Sequence, residues 1–337
     1  MDTTPPILNP WKIFGHDWAV TMLQQHLAHD SLRHAYLLTG PAGIGRRTLA
    51  LRLAQAINCP TPAAPGVPCQ TCRTCQQIAA EKHIDLMVLR RPEDKKDLTV
   101  EPIRELTRLL VLKPFASQFK IALLLNFEDA NSSAQNALLK TLEEAPAHVR
   151  LLLTANNPEQ LLPTIVSRCE ILRLRPLPIP SVIEFLTRQG LNPEQAHLFG
   201  HLSGGRPGYA LQLSQNQKQL AFRAEKLADI RPLLSAKRRE RMAYAEILAK
   251  DKESFHQTLL LWLSFWRDVM LCAARSSAPL ANIDQADLLE TLGEALPLHS
   301  ARLVTESLEQ AIERLENNIN ARLLAEVILL DWPKLTL

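Results

Sequence analysis

Two spacings of apolar residues divide the chain. Up to about residue 174, short apolar runs alternate with stretches of helical spacing; beyond residue 180 the spacing is helical almost throughout. Val20, Leu23 and Leu27 predict a helix over residues 17–28. Residues 35–39 read as a short buried strand that runs directly into a glycine-rich turn, and residues 48–57 continue as a helix. The runs 86–89, 121–125 and 151–154 predict three more core strands, and residues 136–144 a helix stopped by Pro146. Strands alternating with helices predict an α/β domain with a mostly parallel sheet.

Pro176, Pro178 and Pro180 predict a stiff linker, because each fixes its own φ and biases the preceding residue away from helix. After it, Ser181 to Glu184 has the pattern of a capping box opening a helix that Gly190 closes. Gly204 and Gly205 break the chain before a short helix at 207–213. Long amphipathic helices follow from Lys218, among them 259–274 and 300–317. Trp262, Leu263, Trp266 and Val269 share one side, read as core with room for a subunit contact. The expected organisation is an α/β domain over 1–176, a small helical domain over 177–216 and a larger helical domain over 217–337.

Composition narrows the class. The 337 residues are 46% apolar and 22% charged, an ordinary folding composition. A net charge of +3 does not by itself imply nucleic acid. The basic run Lys237, Arg238, Arg239, Arg241 reads as a solvated helix face rather than a DNA or acidic-partner contact. No apolar run is long enough for a membrane span, and the first six residues lack a secretory pattern. The expected home is the cytoplasm, where thiols stay reduced and clustered cysteines point to metal.

Cys59, Cys69, Cys72 and Cys75 are such a cluster, C-x9-C-x2-C-x2-C, in a proline-rich insertion. The spacing predicts a structural Zn²⁺ site, since four sulfur ligands leave no open position for chemistry. Unconnected thiols, a redox pair or a direct nucleic-acid reader are the alternatives. The last has only Arg73 and Lys82 as nearby cations, too few for much counterion release. Cys169 and Cys272 sit in apolar surroundings and read as core.

Residues 40–48 read Gly-Pro-Ala-Gly-Ile-Gly-Arg-Arg-Thr. The phosphate-loop pattern G-x-x-x-x-G-K-[ST] needs Lys for the β/γ-phosphates and a hydroxyl for Mg²⁺. Gly40, Gly43 and Gly45 keep the glycine frame, but Arg46 takes the Lys position and Arg47 the hydroxyl position, with Thr48 one residue late. A cation from Arg47 beside the metal position would repel it by about 4 kcal/mol per unit-charge pair at 4 Å. Arg46 retains the capacity to touch phosphate. The acidic pair that would complete a Mg²⁺ site registers on Leu125 and Asn126, with Glu128 and Asp129 as the alternative in a shifted register. Loss of ATP hydrolysis is expected, and the sequence does not establish that ATP binds at all. Arg168, after the last strand, either reaches a neighbour's γ-phosphate, an effect worth about 10³–10⁵ in rate, or pairs within the chain.

These stretches resemble one family: the delta-prime subunits of the bacterial replicative clamp loader, in the AAA+ superfamily. The resemblance is carried by residues 34–41, the four cysteines, residues 136–146 (Asn-Ala-Leu-Leu-Lys-Thr-Leu-Glu-Glu-Ala-Pro) and residues 161–169, ending Ser167-Arg168-Cys169. It covers about residues 10–215 and weakens beyond, where residues 261–271 and 318–323 look like collar helices. It implies an AAA+ module with a zinc insertion, a helical lid and an all-α collar. It also implies a ring of five with motor and delta subunits, and partnership with the sliding clamp and primer-template DNA through that complex. Arg168 would be an arginine finger acting in trans on a motor subunit's ATP. The second phosphate-sensing Arg of motor subunits registers on Gly208, with Arg206 nearby. An ATP-hydrolysing motor subunit of the same loader is the alternative; the losses at Arg46, Arg47 and Asn126 favour the delta-prime type.

Overall fold

The computed structural model describes residues 9–316 and 319–335; the first six residues and Asn317 and Asn318, used above, lie outside them. The chain divides into two compact units, one of residues 1–178 with 205–209, the other of residues 179–204 with 210–337. Residues 177–216 are therefore shared between the units. No helix among the described residues is long and apolar enough to cross a membrane.

The first unit runs α1 (Asp17–Ala28), β1 (Ala35–Thr39), α2 (Arg46–Asn58), α3 (Arg73–Ala79), β2 (Leu86–Leu89) and α4 (Val100–Leu110). It continues with β3 (Lys120–Leu124), α5 (Ser132–Glu143), β4 (Val149–Ala155), α6 (Pro163–Val166) and β5 (Glu170–Arg173). The five strands pair in the order β2-β3-β4-β1-β5, all parallel, so the chain must cross over between strands. Alternate residues face opposite ways. Tyr36, Leu38, Ile121, Leu123 and Leu152 pack with Leu23 of α1 and Leu49 and Leu53 of α2. Leu37, Leu124, Leu151 and Leu153 pack with Ile103 and Leu106 of α4 and Leu138 of α5. Helices on both faces explain why the strands read as unbroken apolar runs. The expected α/β layering is present.

Several boundaries differ from expectation for local reasons. α5 starts four residues early, because the Asn131 side chain accepts the Ala134 N–H at 2.9 Å and caps the helix there. α4 was not foreseen, although Ile103, Leu106 and Leu110 mark its buried stripe. The edge strand β5 was also missed; only Leu172 in it is fully buried, which leaves little apolar signal.

The second unit contains α7 (Ile179–Arg188), α8 (Pro193–Leu202), most of α9 (Pro207–Gln215), α10 (Gln217–Ala228), α11 (Ile230–Ser235) and α12 (Arg238–Leu248). α13 (Lys252–Ala273), α14 (Ala286–Ala295), α15 (Leu298–Glu316) and α16 (Ala321–Asp331) complete it. α7 begins before Ser181, so the expected capping box does not open it. Pro180 lies in its first turn, where a missing N–H costs no helical bond. Gly190 does close the helix: at φ 91° its N–H donates to the Thr187 carbonyl, and that of Leu191 to Leu186, a Schellman motif.

The stripe on α13 is core. Trp262, Trp266 and Val269 are fully buried, and Trp332 meets both indoles edge-on at 4.8 and 5.4 Å between centroids. The basic run is not wholly a solvated face. Arg241 is buried and donates to the carbonyls of Leu234, Leu329, Trp332 and Pro333. Carbonyls left over at helix ends carry partial negative charge, and they take the place of a carboxylate here.

A second buried cation has a carboxylate. Arg223 binds Asp284 through two contacts of 2.6 and 2.8 Å and also donates to Asn282 Oδ1 at 2.8 Å. Burial pushes the Asp284 carboxyl up, but the bonds and charge of Arg223 outweigh it and hold the group below its ordinary value of 3.8. A depressed acid contributes stability that is present above the unfolded value and lost as pH falls through the folded one. The full chain should therefore lose stability as pH drops below 3.8. Asp284→Asn should be less stable at neutral pH and show a flatter acid dependence, read by thermal melts followed through tryptophan fluorescence.

Candidate functional site

β1 ends at Thr39 and the chain turns at once. The Gly40 N–H donates to the carbonyls of Ala155 and Asn156 at 3.3 and 3.1 Å, and a Cβ on Gly40 would lie 2.4 Å from the Leu174 carbonyl oxygen. Gly43 (φ 80°) backs onto Tyr209, whose Cβ would be 2.6 Å from an added Cβ, and its carbonyl accepts the Gly208 N–H at 2.9 Å. Backbone approaches this close require glycine. Gly45 then leads into α2, whose first turn carries Arg46, Arg47 and Thr48. The strand–loop–helix context expected of a phosphate loop is intact.

The two arginines go opposite ways. Arg46 is buried, its Nη2 donating to Asn126 Oδ1 at 3.2 Å and its Nη1 lying 3.9 Å from Glu128 Oε1. Burial lowers the Arg46 pKa and raises that of Glu128. Each group thus carries a desolvation cost that the other only partly offsets. Arg46 Nη1 and Glu128 Oε2 are buried without a hydrogen-bond partner. Arg47 turns outward to Glu81 at 2.6 Å, a carboxylate that Arg90 also engages. The expected repulsion of a metal by Arg47 is therefore misplaced; the cation turned inward is Arg46. Thr48 is exposed.

The acidic positions resolve as well. Leu125 is buried and apolar, and Asn126 stands in the left-handed region at φ 49°, its N–H donating to Thr154 Oγ1 at 2.8 Å. The carboxylate that reaches the loop is Glu128, from the shifted register, and its Oε1 also accepts the Asn156 N–H at 2.9 Å. Asp129 turns to Arg91 at 3.3 Å. Sequence reasoning missed that Asn126 and Glu128 serve Arg46. A signal was available: a cation in a buried loop position must find acceptors within the chain.

Arg168 follows α6. Its Nη2 lies 2.7 Å from Glu143 Oε1 of α5, and its Nη1 donates to the Thr164 carbonyl at 3.0 Å. The side chains are 35% and 50% exposed, so this is a surface pair. Gly208 lies against the Gly43 backbone, and the Arg206 guanidinium stacks on the Tyr209 ring, 4.3 Å from its centroid.

The four cysteines of the insertion converge, their Sγ atoms all within 4.8 Å of one another. Cys59 and Cys69 are 3.5 Å apart and Cys69 and Cys75 4.0 Å. A tetrahedral Zn²⁺ with sulfur at about 2.3 Å places its ligands about 3.8 Å apart, so the donor set fits. The N–H groups of Cys69, Cys72 and Cys75 point at the sulfurs of Cys59, Cys69 and Cys72 at 3.3–3.4 Å, an arrangement that favours thiolate. The N–H of Cys72, then that of Thr71, pull the Cys69 thiol down to about 5. The insertion is tied to its unit by the Trp11 indole N–H on the Gly66 carbonyl (2.8 Å) and Gln55 Nε2 on the Cys75 carbonyl (2.6 Å). Cys169 and Cys272 lie outside the cluster, and burial pushes the Cys169 thiol up to about 12.

Comparison with known proteins agrees with this geometry. A family described as DNA polymerase III, delta subunit, matches residues 15–178, and its C-terminal counterpart matches residues 217–334. The delta-prime subunit of DNA polymerase III from Pseudomonas aeruginosa is 33% identical over 329 residues, covering 95% of this chain and 98% of that one. The Bacillus subtilis delta-prime subunit is 28% identical over 323 residues, 92% and 93% of the two chains. The Escherichia coli tau subunit is 33% identical, but over only 50% of this chain and 26% of its own length. The parallel sheet with its glycine loop thus lies within the first matched family, and the helical region beyond residue 216 within the second. End-to-end similarity to the delta-prime subunits, against a partial match to tau, decides the assignment: the chain belongs to the delta-prime subunit family of DNA polymerase III.

Proposed function

We propose that this chain is a non-hydrolysing subunit of a bacterial clamp loader that supplies Arg168 in trans to the ATP site of a neighbouring motor subunit. The observation that carries this reading is the contrast between two guanidinium groups. Arg46 is folded into the chain's own loop and turned to Asn126 and Glu128, where a phosphate-binding Lys would reach for nucleotide. Arg168 is at the surface, held by the half-exposed carboxylate of Glu143 and by the nearby Thr164 carbonyl and Ser167 hydroxyl. Exposed ion pairs are worth about 0–1 kcal/mol, so Arg168 can leave Glu143 for a triphosphate at little cost.

The same reading gives the other parts their roles. Residues 177–216 act as a lid and residues 217–337 as a collar in a hetero-pentameric ring with motor and delta subunits. Exposed Leu323, Val327 and Leu330 form a stripe on α16 at i, i+4, i+7, which suits a helix–helix contact. Through the ring the chain helps place the sliding clamp on primer-template DNA, in the cytoplasm. Cys59, Cys69, Cys72 and Cys75 hold a structural Zn²⁺ that organises an insertion poor in core residues.

Isolated chain should show no magnesium-dependent ATP turnover; a rate of about 1 s⁻¹, ordinary for an enzyme, would instead favour a motor subunit using Glu128. Arg168→Ala should fold normally and lower hydrolysis at the adjacent site of the reconstituted complex by about 10³-fold. Turnover that stays unchanged would leave Arg168 as a surface ion pair. Metal analysis should find about one zinc per chain. Chelation should loosen residues 59–79, seen as faster amide exchange, and a metal-free chain with native protection there would contradict the zinc assignment.

A further inference from the structure

Three chain segments meet at the glycine loop: Arg46 ties the start of α2 to the β3 tip, and Asn126 and Glu128 of that tip in turn hold the β4 tip. Asn126, just past β3, accepts from Arg46 and donates its own N–H to Thr154 in β4. Glu128 lies beside Arg46 and accepts the N–H of Asn156, just past β4. The loop's first residue, Gly40, donates to the carbonyls of Ala155 and Asn156 from the other side. The tip of β4 is therefore gripped between the loop and the β3 tip, and the buried guanidinium lies against the two β3-tip residues that do the gripping.

What leaves the β4 tip is the segment that carries Arg168. From Asn156 the chain makes a single turn at Pro158–Gln160, then the Leu162 N–H donates to Gln135 Oε1 at 2.9 Å and Ile165 is buried in the core. Arg168 follows directly after α6. The path is short, and it is pinned on its far side by α5. A shift at the β4 tip therefore has few places to be absorbed before Arg168.

We propose that Arg46 is a positioning residue: a guanidinium built into the chain at the position of the phosphate-binding Lys fixes Asn126 and Glu128, and through them holds the β4 tip so that Arg168 keeps one geometry. This rests on the reading of Arg168 as acting in trans. A bound nucleotide comes and goes, and sites that read it switch between two arrangements. A covalently attached cation cannot leave, so the tip has one arrangement. The pair is poorly made for stability alone. Its side chains are only 8% and 9% exposed at a separation of 3.9 Å, and each leaves one buried polar atom unpartnered. Buried ion pairs are often no more stabilising than apolar residues of the same volume. What such a pair does supply is direction, since Asn126 and Glu128 must each be aimed at the guanidinium.

The test uses Arg46→Met, which fills similar space without charge, with Arg46→Lys as the conservative rescue and Arg168→Ala as a control. In the full chain, amide exchange over residues 155–168 should quicken about tenfold in Arg46→Met while α13 is unchanged. In the reconstituted complex, ATP kcat should fall about tenfold, with KM and assembly unaltered, as expected of a misplaced group. Arg46→Lys should restore both. Unchanged exchange, or an unchanged kcat beside an Arg168→Ala control that does lose activity, would overturn the positioning role alone. An Arg168→Ala complex with full activity would overturn the trans reading and the catalytic part of this inference with it. Should Arg46→Met not fold, Glu128→Gln carries the same two measurements, and a null result in both is equally decisive.

Discussion

A guanidinium cannot be buried without acceptors, and much of the first unit is arranged around that constraint at Arg46. Desolvation lowers its affinity for the proton and raises that of Glu128, so neither charged group is comfortable alone. They coexist because the tips of β3 and β4 bring Asn126, Glu128 and Asn156 to the mouth of the glycine loop. The sheet order makes this possible. β1 feeds the loop, β4 is its hydrogen-bonded neighbour, and β3 lies next beyond β4, so three strand ends converge on one point. Crossover connections on a parallel sheet put those ends on the same edge.

The fate of four arginines shows how environment, and not residue type, sets where a cation points and what it pairs with. Arg46 is internal and committed to Asn126 and Glu128. Arg241 is internal and committed to carbonyls at the ends of helices in the second unit. Arg47 and Arg168 are external, Arg47 on the largely buried carboxylate of Glu81 and Arg168 on the half-exposed one of Glu143. Removing an internal cation strands its partners in a low-dielectric setting and costs several kcal/mol (about 3–5 when a buried pair is broken). Releasing an external one costs about 1 kcal/mol or less. Arg168 stands in the second state, partly exposed and able to leave Glu143.

The cysteine insertion follows the opposite logic, with order supplied by its own polar atoms instead of by a core. Its backbone N–H groups are aimed at sulfur, lowering the cost of thiolate at Cys69 before any metal is considered. Trp11 and Gln55 then fasten the loop to its unit through the carbonyls of Gly66 and Cys75. α3, with Cys75 and Ile78 buried, joins it to the hydrophobic interior.

Local chemistry carried much of this in the sequence. The glycine frame, the cysteine spacing, the apolar strands and the helical second half depend on neighbours a few residues apart, and each emerged close to where pattern placed it. Failures came where the signal was weak or where two local rules competed: the edge strand β5, the unforeseen α4, and the start of α7, where Pro180 fits a first turn as well as a linker. The direction taken by each charged side chain was not legible. Arg46 and Asn126 are 80 residues apart in the chain, and Arg46 and Arg47 are adjacent and identical, yet one is buried and the other exposed. Sequence determined that this loop keeps its turn and loses its Lys and hydroxyl. Only the tertiary structure decided that the Arg in the Lys position turns inward, because compensation of a buried charge depends on which distant groups the sheet brings to it.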